Sequence, residues 1–170
     1  MTITAYRRRS GAVLFATLLG AACAHRTQPD LAALCAGGSA SARVVATLDH
    51  VRGPAGPGLA ALQDSSFRID FTFLALDDAN RASGGGAAGC TDTHGTATFS
   101  GALPEPVRHA ASAEGNATWR VQDDSVLVDL NPHVRDSNVF LTLPLRGGRG
   151  HWGLSTFAGE VAGGHTDPAP

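Results

Sequence analysis

Phe67-Arg68-Ile69-Asp70-Phe71-Thr72-Phe73-Leu74-Ala75-Leu76, residues 67–76, set the architecture of this chain. Phe67, Ile69, Phe71, Phe73 and Ala75 fall on one side of an alternation whose other side begins Arg68, Asp70, Thr72. Successive side chains of an extended strand point to opposite faces, so a period of two marks a half-buried β-strand. Leu74 and Leu76 make its far end apolar on both faces, which predicts that this end is covered.

Similar segments lie on either side. Upstream, Ala42–Val51 reads as a strand ended by the turn-rich stretch Gly53–Gly58. Downstream, Asp77–Gly89 is a long polar and glycine-rich connection, of a length that is either mobile or functional in a compact domain. His94–Gly101 alternates again, and Pro104-Glu105-Pro106 opens a second irregular region that ends near Gly115. Ala117–Val121 and Val126–Leu130 flank Asp123-Asp124, residue types that tolerate turn conformations, and predict a hairpin. Asn138–Leu145 places Val139, Leu141, Leu143 and Leu145 on one face, and Arg146–Gly150 turns it into His151–Ala158, with Trp152 and Leu154 inward. Glu160–Ala162 completes the sheet, and residues 163–170 read as a frayed tail. Seven or eight short strands without helical periodicity predict an all-β fold, a single antiparallel small barrel or sandwich over residues 35–162. The short connections of the last four strands form a meander, which favours the barrel.

The chain opens with a different kind of segment. Arg7-Arg8-Arg9 precedes an uncharged, mostly apolar run, Ser10–Ala22, that is short for a membrane span and exits through small residues, so residues 1–22 read as an export signal peptide. Leu19-Gly20-Ala21-Ala22-Cys23 resembles the lipobox of bacterial lipoproteins, in which the cysteine is acylated and becomes the new N-terminus. The family has leucine three residues before the cysteine; here Gly20 holds that place and Leu19 stands one earlier. The resemblance covers this segment alone. It implies lipidation at Cys23, attachment to the membrane through that lipid, and an outer-membrane location facing the periplasm or the cell surface. Ala22-Cys23-Ala24 is also an A-x-A cleavage signal, which would instead secrete a chain beginning at His25. Residues 23–34 then form a tether, with Leu31–Leu34 as one helical turn capped by Asp30.

Of thirteen basic residues, all arginine, three leave with the signal, so ten face fifteen acids in the exported chain. That balance disfavours nucleic acid, whose affinity comes from cationic contacts with phosphates. Without lysine there is no side-chain amine for Schiff-base chemistry. Cys35 and Cys90 remain as an even pair, and in an oxidising envelope they predict a disulfide.

Local chemistry is sparse. Cys90, Asp92 and His94 alternate, so an extended strand would point all three to one side as a metal site requires, but Asp92 and His94 at a strand entrance read more simply as solvated residues. Phe71, Phe73, Trp119 and Trp152 are the candidate lining of a ligand pocket, although alternating strand aromatics are more often core. No G-x-S-x-G, phosphate loop or histidine pair at metal spacing occurs, and no cofactor is expected. The expectation is a non-enzymatic envelope binding or structural module, meeting an envelope protein or a small apolar ligand. The alternatives are a lipocalin-like carrier with an apolar cavity, and an envelope hydrolase or metal-dependent enzyme built on Asp92 and His94.

Overall fold

The computed structural model describes residues 31–52, 57–60, 62, 64–75, 93–134 and 137–169. Eight strands follow one another in chain order: β1 Ser39–Val51, β2 Ser66–Ala75, β3 His94–Ser100, β4 Asn116–Gln122, β5 Ser125–Asp129, β6 Ser137–Pro144, β7 Gly150–Thr156 and β8 Gly159–Pro168. Each pairs antiparallel with the next, and β8 closes onto β1, so the sheet is a closed up-and-down barrel.

Alternation along each strand fixes what lies inside. Phe67, Ile69, Phe71 and Phe73 from β2, Trp119 and Val121 from β4, and Leu141 and Leu143 from β6 are all buried, while their outward neighbours Arg68, Thr118 and Arg120 are exposed. Eight strands enclose a space just wide enough for side chains to fill. Here the filling is uneven: β2, β4 and β7 contribute large rings, and β1 contributes Ala42 and Ala46. The aromatic groups interlock, with Phe73 edge-on to Trp119 at 6.3 Å, Phe67 edge-on to Trp152 at 5.1 Å and Phe71 stacked on Phe73 at 5.4 Å between centroids. The outer wall carries charged pairs such as Arg43–Asp70 and Arg149–Asp167, the inverse of the apolar outer band of a membrane-spanning barrel.

Each tryptophan sits opposite a glycine on the neighbouring strand. Trp119 pairs with Gly95, and its indole N–H donates to the carbonyl oxygens of Thr96 at 2.9 Å and Leu74 at 3.1 Å. Trp152 pairs with Gly164, and its indole N–H donates to the Thr47 carbonyl at 2.8 Å. A methyl at Gly95 would stand 2.8 Å from the Trp119 ring, and one at Gly164 would run into the Thr47 carbonyl oxygen.

Both ends of the barrel carry apolar residues. At the end where the chain enters, a 3-10 helix, Leu31–Ala36, buries Leu31 and Leu34, with the Leu31 amide donating to the Leu145 carbonyl at 3.0 Å. At the other end, α1 Pro57–Ala60 and α2 Glu105–Ala110 supply Leu59, Val107 and Ala110 to the core. Asn131, itself buried, fastens α2 by donating its amide to the Ala110 carbonyl at 3.1 Å.

Four expectations change. Residues 163–168 are not a frayed tail but most of β8, paired with both β1 and β7. Leu31 and Leu34 belong to the core and not to a spacer that precedes Cys35. The irregular region after Pro104 contains α2, which prolines at its first turn favour because proline gives up no hydrogen bond there. The apolar end of β2 is not covered on both faces, since Leu74 is 51 % exposed. The Asp123-Asp124 hairpin holds, with Asp123 in the left-handed region at φ 53°. Residues 1–30, the 77–89 connection, Cys90 and Asp92 lie outside the described residues.

Filling the Gly164 space tests the close approach of β8 to the β1 backbone, and removing the Trp152 N–H tests its bond to the same Thr47 carbonyl. Gly164→Ala is expected to cost about 1–3 kcal/mol in denaturant unfolding, as overpacking does, and Trp152→Phe about 1 kcal/mol for its lost hydrogen bond. An unchanged midpoint for Gly164→Ala would contradict the packing described.

Candidate functional site: a groove on the outer wall

Antiparallel pairing places outward residues side by side across β3, β4, β5 and β6. One row runs His94, Arg120, Leu127, and the next runs Thr96, Thr118, Asp129, Phe140. Between them the wall is concave, forming an open groove of about 620 Å³. Its floor is backbone and inner side-chain surface at Gly95, Trp119, Val128 and Leu141. The two threonines are short, so the groove is shallow-sided at β3 and β4, whereas Leu127 and Phe140 form an apolar flank.

Two of these side chains are held in place. Asp129 accepts the Asn131 backbone N–H at 2.8 Å through Oδ1 and the Asn138 side-chain amide at 3.1 Å through Oδ2. The side-chain oxygen of Asn138, Oδ1, is buried and has no partner among the described residues. Phe140 lies over Gly153 of β7, where a methyl would stand 2.7 Å from its Cζ, and its ring is 6.3 Å from that of His151.

Beyond Phe140 the wall continues into a charged cluster on β7, β8 and β1. Glu160 binds His50 at 2.7 Å through Oε1 and His151 at 3.2 Å through Oε2. Burial acts to raise the Glu160 carboxyl, but the hydrogen bonds to His50 and His151 outweigh it and hold the group below its ordinary value of 4.5. Next to it His165 meets Asp49 at 2.7 Å and Asp167 at 3.4 Å.

The sequence-derived candidates separate. Phe71, Phe73, Trp119 and Trp152 are all inside the barrel, at most 3 % exposed, and pack against other rings. Of the pair proposed for metal, His94 opens onto the groove and Asp92 is outside the described residues. Among the described residues no three His, Cys, Asp or Glu side chains are placed to hold a metal ion. Cys35 lies in the 3-10 helix, while Cys23 and Cys90 are outside the described residues. The groove itself was not foreseen: Arg120, Leu127, Asp129 and Phe140 read singly as solvent-facing strand residues. The signal that finds them is parity, once the register of four strands is known.

Comparison with known proteins returns no match: no family model, no curated sequence and no solved structure corresponds to this chain.

The Glu160 cluster gives a pH prediction. A carboxyl held below its ordinary value stabilises the fold above the unfolded value and loses that contribution as pH falls through the native one. The stability gap between the wild type and Glu160→Gln should therefore narrow as pH is lowered past 4.5, read from chemical unfolding at a series of acidic pH values. A gap independent of pH would show that the histidine contacts do not stabilise the carboxylate.

Proposed function

We propose that this protein is exported, held at a membrane by lipid on Cys23, and acts without catalysis as a binding module whose working surface is the outer wall of its barrel. The observation that carries this reading is the position of the groove. A concave surface of about 620 Å³ with apolar and polar lining is of ligand-site size, and it lies outside a core whose rings occupy the interior. The export half of the proposal rests on Arg7–Arg9, the apolar run after them and the lipobox-like segment ending at Cys23. A Cys35–Cys90 disulfide belongs to the same reading, and Cys35 lies in the 3-10 helix that buries Leu34. Such a bridge would tie the plug that carries Leu34 to the connection between β2 and β3.

The lipocalin-like alternative draws no support from Phe71, Phe73, Trp119 and Trp152, whose faces are taken up by one another and by Phe67. The enzymatic alternative has in its favour only the opening of His94 onto the groove.

Intact mass spectrometry of protein extracted from membranes tests the anchor. The expected species begins at Cys23 and carries acyl mass; an unmodified chain beginning at His25 would remove the anchor. For the disulfide, Cys35→Ser and Cys90→Ser should each lower stability by about 4 kcal/mol at most, the entropy of closing a loop of this length, and the double variant should cost no more than either single one. Additive losses would contradict a shared bridge.

A further inference from the structure

Resting on the groove as the binding surface, we infer that its ligand is a small amphipathic carboxylate: the anionic head lies on the Arg120 guanidinium and the apolar part lies against Leu127 and Phe140. Arg120 stands directly across from Leu127, and Leu127 is two residues along β5 from Asp129, which faces Phe140. Directly opposed side chains have Cβ atoms about 5 Å apart. A cation and an apolar flank therefore adjoin on one concave surface.

The sign of the ligand follows from which charge in the groove is uncommitted. Asp129 is the groove's carboxylate, and each of its oxygens already accepts a hydrogen bond, from the Asn131 backbone and from Asn138. Arg120 is exposed and makes no ion pair among the described residues, unlike Arg43 with Asp70 and Arg149 with Asp167 on the same outer wall. The planar guanidinium offers a forked pair of donors that matches a carboxylate. Thr96 and Thr118, small and polar, line the groove beside it and leave space above the floor.

The apolar half follows from Phe140. Its ring is not a free rotor at the surface, because it rests on Gly153, where any side chain would collide with it. Fixed against β7 on one side, it lines the groove diagonally from Leu127, and a ligand's hydrocarbon would lose contact with water against both. An ion alone would leave this flank unused, and a neutral apolar molecule would leave Arg120 unused.

Isothermal titration of the mature full-length protein with sodium decanoate and, separately, with 1-decanol tests the inference. Decanoate is expected to bind once per chain and more tightly than the alcohol. Arg120→Gln should weaken decanoate about tenfold or more, the loss expected for a hydrogen-bonded charge, and leave 1-decanol unchanged. Leu127→Ala should weaken both ligands. Arg120 is exposed, so the unfolding midpoint of Arg120→Gln should match the wild type and exclude a folding defect. If decanoate binds Arg120→Gln as tightly as the wild type while Leu127→Ala still weakens it, the groove stands and the carboxylate assignment falls. Should neither ligand bind the wild type, the groove itself is not the binding surface.

Discussion

The interior of a closed eight-stranded barrel has to be filled, and in this protein two indole rings crossing glycines do much of the filling. Trp119 uses the missing side chain of Gly95 on the partner strand, Trp152 stands opposite Gly164, and each indole N–H reaches a backbone carbonyl oxygen. That one device satisfies the only polar atom on each ring, which buried tryptophans need, and it ties together strands that are not always nearest neighbours: Trp152 of β7 bonds β1 across β8. A side chain at Gly95 would collide with the Trp119 ring. Closure then removes every free strand edge, and the plugs at Leu31–Ala36 and around Leu59 and Val107 add apolar contacts at the two ends.

A filled interior moves function outward. The groove over β3 to β6 and the His50–Glu160–His151 cluster are neighbouring parts of one wall, joined by Phe140, which lines the first and lies near a histidine of the second. Two glycines on the outer face, Gly153 of β7 and Gly163 of β8, leave the room that Phe140 and Glu160 occupy. Strands β7 and β8 are therefore thin on this face, and their lack of side chains is used there.

What was legible in the sequence is what depends on a single strand. Period two in Phe67–Ala75, Ala117–Val121 and Asn138–Leu145 identifies strands and their buried faces without reference to any partner, and the short turns order them into a meander. What was not legible depends on two strands at once. Gly163-Gly164-His165-Thr166 has the composition of a loose end, because glycine is a poor strand former on its own account; its place in β8 comes from the close approach of the β1 and β7 backbones and of the Glu160 side chain. The groove failed to show for the same reason. His94, Arg120, Leu127 and Phe140 span 47 residues of sequence and become neighbours only through register. Helix α2 was hidden by its prolines, which suggest a break when read locally and a first turn when the helix is seen.

A binding surface on the outer wall presupposes a solid interior. The chain has two tryptophans, so the two indole N–H protons can be followed individually by NMR during hydrogen exchange in heavy water. If each is sealed in the barrel and bonded to a backbone carbonyl, both should exchange as slowly as the most protected strand amides, in step with global unfolding. Rapid exchange of either indole while those amides stay protected would mean a hollow, wet barrel, and would contradict the packing on which the outer-wall site rests.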